Sequence, residues 1–229
     1  MTMSLTQLFD AAQAQRASTP ELVADALREA ILRGLYAPGQ PLRQDAIAAA
    51  LGLSKIPVRE ALRRLEAEGL VVLHANRGAV VAPLVPQEAQ EIAEIRGALE
   101  TLALRLALPN LTARDVRQAA AILDDLDAED DIARWGALNR DFHQALYAPA
   151  GRPLLLDLIA AQHRRFDRYM RVVLASMCHQ ASSQAEHRAL LAACQARDEA
   201  AAVAILERHI ATAAALLAEH ARANDGAPA

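Results

Sequence analysis

Between residues 43 and 82 the hydrophobic period changes in a fixed order, and this constrains the chain more than any other feature. An Ala-rich apolar segment from about Arg43 to Leu51 stops at Gly52, and Leu53-Ser54 leads into "SKIPVREALRRLEAEG", Ser54–Gly69. On a helical wheel Val58, Ala61, Leu62 and Leu65 share one stripe, while Lys55, Ile56, Arg59 and Arg63 fall on the other side. Ser54 suits an N-cap, and Pro57 is tolerated in a first turn. After Gly69 the pattern becomes that of strands: Leu70–Leu73 and Ala79–Ala82 flank the turn "HANRG". Two helices joined by a tight glycine turn and followed by a small hairpin form a winged helix-turn-helix.

Upstream, "STPELVADALREAILRG" predicts another helix, with Thr19 as N-cap, Pro20 in the first position and Glu21 in the first turn. Leu22, Ala26 and Ile31 mark its apolar face, Gly34 ends it, and "YAPGQPL" reads as a turn. Residues 1–17 read as a flexible leader with at most a short helix from Leu5 to Ala14. From Pro86 onward the pattern is helical throughout. Ile92, Ile95, Leu99, Leu102 and Leu106 recur at helical spacing until Pro109, and Thr112 with Asp115 resembles a capping box opening a helix to about Leu126. Further helices contain "RWGALNRDFHQALY" and span about Pro153–Ser176, Ser182–Ala196 and Glu199–Ala223. The organisation expected is a leader (1–17), a winged helix (18–85), a helical bundle (86–224) and a disordered tail (225–229).

Composition agrees with a mainly α chain: 53% of residues are hydrophobic but only 3% aromatic, so the apolar content is largely Ala and Leu. No apolar run reaches the ~18 residues a membrane span needs, and no secretion signal opens the chain. Cys178 and Cys194 form no close motif, which suits a reduced, cytoplasmic setting. The net charge of −4 does not announce a nucleic-acid partner. The distribution permits one: residues 18–85 carry eight basic and seven acidic side chains, against fifteen and twenty from 86 onward. Helix-turn-helix proteins present the start of the second helix to base edges. Lys and Arg suit guanine, and Ile56 suits a thymine methyl. Read without its neighbours, the same helix is equally an amphipathic helix with a solvated basic face.

At these residues a resemblance enters. "LSKIPVREALRRLEAEGLVVLHANRGAVVAP" resembles the DNA-binding domain of GntR-family bacterial transcription regulators, over about Thr19 to Pro83. The resemblance implies DNA contacts from Arg43, Ser54, Lys55, Ile56, Arg59 and Arg63, with Arg59 a principal reader and Asn76-Arg77-Gly78 a wing tip near the minor groove. Lys55 and Ile56 stand where such regulators commonly carry Arg and Thr, and Lys55, the single lysine of the chain, lacks arginine's planar fork.

Seven histidines are present. Asn139 and His143 lie four apart on one helix. His187 and His209 lie eleven residues to either side of Asp198, in the turn between the last two helices, so antiparallel packing brings them to one height. Three histidines and an oxygen donor can bind a divalent metal with positions left open; spacing alone fits separate buried histidines as well. The helical part is similar to the FCD ligand-binding domain of FadR-type members, in "IRGALETLALRLA", "LNRDFHQALYAPAGRPLLLDLI", "EHRALLAA" and "ERHIATA". That resemblance implies Asn139, His143, His187 and His209 as ligands of a divalent metal, Zn²⁺ first, with Ni²⁺ or Mn²⁺ as alternatives. It also implies Arg96 as the anchor of a small carboxylate effector, although Glu100 at i+4 can pair with Arg96 on the helix instead. His163 and His179 have no such pattern and read as ordinary. The function expected is a homodimeric regulator, a repressor, that binds a short inverted-repeat operator under control of an organic acid, and not an enzyme. The rivals are a metal-dependent hydrolase fused to a winged helix, for which no carboxylate stands in a clear general-base role although Asp141 and Glu186 are nearby in sequence, and a winged helix that binds protein instead of DNA.

Overall fold

The computed structural model describes residues 4–13, 18–74, 78–177 and 180–225. They form two compact units, Met1–Leu84 and Val85–Ala229. The first contains α1 (Leu5–Gln13), α2 (Thr19–Leu32), β1 (Pro41–Leu42), α3 (Gln44–Leu51), α4 (Lys55–Ala67), β2 (Val71–His74) and β3 (Gly78–Val81). Ser18, one residue before the expected cap, opens α2: its backbone N–H donates to Glu21 Oε2 at 2.9 Å. Gly52 closes α3 at φ 66°, a left-handed conformation that glycine adopts without a Cβ penalty, and this turn aims α4. The three strands are antiparallel in the order β1-β3-β2, with Leu42 opposite Ala79 and Leu73 opposite the same residue from the other side. β1 falls in the segment that reads as a turn. Two residues carry no period, and only pairing with β3 makes them a strand.

The buried stripe of α4 is the expected one, Val58, Ala61, Leu62 and Leu65, and it packs with Leu27, Leu42 and Leu70. The leader departs from expectation. α1 packs on α2 and buries Leu8 and Phe9 in this same core. A nine-residue helix is too short to persist alone, so its sequence reads as ragged and only the tertiary contact orders it. Arg28 forks onto Glu68 with Nε and Nη2, both at 2.7 Å, and tethers α2 to the end of α4.

The second unit is a bundle of α5 (Pro86–Ala107), α6 (Ala113–Asp127), α7 (Ile132–Tyr147), α8 (Pro153–Met177), α9 (Gln180–Ala196) and α10 (Glu199–Asp225). Thr112 and Asp115 form the expected capping box on α6. α10 packs against α5, α8 and α9. By length and composition its Glu199–Glu219 segment would pass for a membrane span. It is instead a core helix, burying Ala202, Leu206, Ile210 and Ala214 against Leu104, Leu123 and Phe142. Arg197 turns α9 into α10 at φ 55°, and its guanidinium donates to the carbonyls of Leu108 and Leu111. Of the expected tail, Asp225 is the last residue of α10 and the rest lies outside the described residues.

Candidate nucleic-acid interface and metal centre

At the start of α4 the buried stripe leaves Lys55, Ile56, Arg59 and Arg63 exposed, together with Ser54 before the helix and Arg43 before α3. Ile56 is 60% exposed. An apolar side chain set between cations on a rigid helix end suits a groove floor that offers both acceptors and methyl groups. Lys55 is not free: Nζ lies 2.7 Å from Asp45 of α3, a pair the sequence reading missed. Asp45 and Lys55 are ten residues apart, so only the tight turn at Gly52 brings them together. Gly78 is exposed at φ 84°. Asn76 and Arg77 lie outside the described residues.

In the bundle, α7, α9 and α10 bring His143, His187 and His209 together. One ring nitrogen of each lies within 4.8 Å of the others, and all three side chains are buried. Their proton positions follow from their neighbours. The Gln184 amide donates to the Leu123 carbonyl (3.2 Å) and to Asp127 (2.7 Å). Its carbonyl oxygen therefore faces His187 Nδ1 at 2.9 Å, and Nδ1 carries the proton. Glu186 Oε2 accepts from His209 Nδ1 at 2.8 Å. With Nδ1 protonated on each ring, the lone-pair nitrogens are the two Nε2 atoms, and these lie 3.2 Å apart. His143 Nε2 and Asn139 Oδ1 are buried with no hydrogen-bond partner. Burying such acceptors unsatisfied costs about 1–3 kcal/mol each, and convergent lone pairs repel; a cation among them relieves both. The three imidazoles fit a divalent metal, each held from behind by an outer partner.

A second network adjoins the first. Glu100 of α5 is fully buried. Its Oε1 accepts from Arg96 Nε at 2.7 Å and pairs with His163 Nε2 at 2.9 Å, and its Oε2 accepts from the Tyr147 hydroxyl at 2.8 Å. Arg96 also sits over the Phe166 ring, 5.0 Å from its centroid. Thus Arg96 is buried and paired with Glu100, the local alternative weighed above, while the Nε bond leaves its Nη groups for another acceptor. His163, read from the sequence as ordinary, belongs to this network. It is buried on α8, bonded to Glu100, with its ring 5.9 Å from that of His143. The i,i+4 spacing of Arg96 and Glu100 was visible; the contribution of His163 has no sequence signal, because it depends on the packing of α8 against α5. His179 lies outside the described residues. Burial pushes the Cys194 thiol up to about 12, so it stays protonated.

Burial, reinforced by the charges His187 and His209 can carry, holds His143 well below the usual 6.5. Burial also lowers His163, against the pull of Glu100. The unfolded chain therefore binds protons here that the native domain refuses. Stability is fully present above the unfolded value near 6.5 and falls as pH drops below it, by up to ~1.4 kcal/mol per pH unit for each histidine. Urea denaturation of the metal-free protein should show lower stability at pH 5.5 than at pH 7.5. Glu100, whose carboxyl is held well below its usual range by Arg96 and His163 despite burial, titrates below that window.

A winged helix with an exposed basic helix, in one chain with a helical domain that buries a cluster of three histidines, is the architecture of a transcription regulator. Residues 19–81 match the family model for bacterial regulatory proteins of the gntR family, and residues 91–212 match that of the FCD domain. The HTH-type transcriptional repressor GlaR of Escherichia coli is 29% identical over 197 residues, 80% of this chain and 89% of its own. The structure of E. coli McbR/YncC aligns with a TM-score of 0.74 at 25% identity, over 89% of this chain and 99% of that one. A GntR-family regulator from Pseudomonas syringae pv. tomato aligns at 32% identity and a TM-score of 0.58, over 96% and 95% of the two chains. The chain belongs to the GntR family of DNA-binding transcription regulators, in the branch that carries an FCD domain.

Proposed function

We propose that the protein is a repressor whose operator binding is set by a small carboxylate bound at a metal in the helical domain. The observation that carries the sensing half is the buried histidine cluster: His143 Nε2 without a partner, grouped with His187 and His209, whose Nε2 atoms lie 3.2 Å apart, and Asn139 Oδ1 also buried without a partner four residues before His143 on α7. Zn²⁺ suits three imidazoles and an oxygen donor, with Ni²⁺ or Mn²⁺ as alternatives. The bound ion supplies Lewis acidity and open coordination positions. Arg96, held at Nε by Glu100, offers its Nη groups to the carboxylate of the effector. Of the carboxylates a hydrolase would need as base, Asp141 is exposed and Glu186 is engaged with His209 Nδ1, which favours sensing over turnover.

The DNA half uses α4 in the major groove, with Lys55, Ile56 and Arg59 towards the bases, Arg43, Ser54 and Arg63 towards the backbone, and the wing at Asn76-Arg77-Gly78 beside the minor groove. A homodimer places two such helices on an inverted repeat. Exposed Ile95 and Leu102 on α5 and Leu154 and Leu158 on α8, two helices that pack together, offer an apolar face for that pairing. Such a regulator works in the cytoplasm. A mobility-shift assay on the protein's own promoter region tests the assignment. Arg59→Ala and Lys55→Ala should each lose about 1–3 kcal/mol of specific affinity. Binding equal to wild type for both would move recognition away from α4.

A further inference from the structure

Glu100 and Tyr147 are not among the four candidate ligands, yet their hydrogen bonds decide how one ligand is protonated. Glu100 accepts on both oxygens, from Arg96 and His163 at Oε1 and from Tyr147 at Oε2. A carboxylate held ionised by a buried guanidinium is an acceptor only. The Tyr147 hydroxyl has one proton, and it is spent on Glu100. Towards His143 Nδ1, 3.2 Å away, the hydroxyl oxygen can therefore only accept. His143 must carry its proton on Nδ1 and present Nε2 as a lone pair, which is the buried atom left without a partner.

We propose that Glu100 is a positioning residue for the metal centre: by taking the Tyr147 hydroxyl proton it forces the Nδ1–H tautomer on His143 and keeps Nε2 open to a cation. Arg96 is tied to the same carboxylate, so the effector anchor and the metal ligand share one hydrogen-bonded chain, Arg96–Glu100–Tyr147–His143. The consequence for metal affinity rests on the metal reading above. The tautomer itself is a property of the metal-free protein and does not.

Glu100→Gln is the discriminating substitution. Arg96 Nε–H and His163 Nε2–H both donate to Oε1, so the amide oxygen stays on their side and the NH₂ turns to Tyr147. The tyrosine oxygen then accepts from the amide and turns its own proton to His143 Nδ1, moving the histidine proton to Nε2. The amide, the Tyr147 hydroxyl and His143 Nδ1 then stay paired, and the new Nε2 proton, like the lone pair it replaces, is buried without a partner. Nitrogen-15 NMR of the imidazole rings in metal-free protein at pH 7.5 reads this directly. His143 should be Nδ1–H in wild type and Nε2–H in Glu100→Gln, and the variant should bind Zn²⁺ about tenfold to a hundredfold more weakly, with all four ligands intact. Tyr147→Phe, which leaves Glu100 in place, should show a mixture of the two tautomers. An Nδ1–H His143 in Glu100→Gln, or an undiluted Nδ1–H form in Tyr147→Phe, would overturn the proposal. A tautomer that switches in a protein whose wild type takes up no zinc would instead sink the metal reading and leave this assignment standing.

Discussion

Replacing Glu100 with alanine should destabilise the helical domain by about 3–5 kcal/mol, the range for removing one partner of a buried ion pair. The carboxylate has no exposure and Arg96 only 4%, so solvent cannot take over its role. Alanine strands the guanidinium with one face on Phe166 and strips the Tyr147 hydroxyl and His163 Nε2 of their acceptor. A whole domain is stable by only ~5–15 kcal/mol, so urea denaturation should show a large drop in midpoint. Arg96→Met combined with Glu100→Ala should cost less than the sum of the two single changes, because no charge is then left buried alone. A loss below ~1 kcal/mol for Glu100→Ala would mean that the pair is solvated in the native protein.

His143→Ala should abolish metal uptake at micromolar ion concentrations. Three imidazoles define the site, and His143 contributes the one whose Nε2 has no other partner. Loss of an outer-shell partner costs about 10–100-fold in affinity, and loss of a ligand itself exceeds that. Elemental analysis after equilibrium dialysis reads the result. Wild type should hold about one equivalent, since the described residues contain one such cluster; His143→Ala should hold none, and Asn139→Ala a reduced amount. The folded state should survive, because His143 is neutral and carries no buried charge to strand. Full occupancy in His143→Ala would place the metal elsewhere.

The winged helix was legible because its elements carry strong local signals: the Val58–Leu65 stripe, Gly52 in a left-handed turn, and two strands around a polar turn. β1 was not, and α1 showed only as a short helix within a segment read as a flexible leader. β1 has two residues and is ordered by pairing with the distant β3, and α1 is ordered by packing on α2. In the bundle, the eleven-residue symmetry about Asp198 brought His187 and His209 to one height, and the structure sets their Nε2 atoms side by side. Pairing of Arg96 with Glu100 was readable from an i,i+4 spacing. What the sequence hid is how Glu100 gathers Arg96, Tyr147 and His163 from α5, α7 and α8, and how Gln184 and Glu186 orient His187 and His209. Outer partners of a site obey no motif, since any donor or acceptor of the right reach can serve. Asp45 beside Lys55 is the same lesson in the winged helix: the lone lysine at the mouth of α4 is paired with a carboxylate.

Fluorescence anisotropy of a labelled promoter duplex, titrated with zinc-loaded protein against a panel of small mono- and dicarboxylates, tests the central claim most directly. At least one acid should shift the operator affinity of wild type by about 5–150-fold, the range of an ordinary allosteric coupling. The same acid should leave Arg96→Met and His143→Ala unmoved. Operator affinity that is identical in zinc-loaded, zinc-stripped and carboxylate-saturated wild type would contradict it.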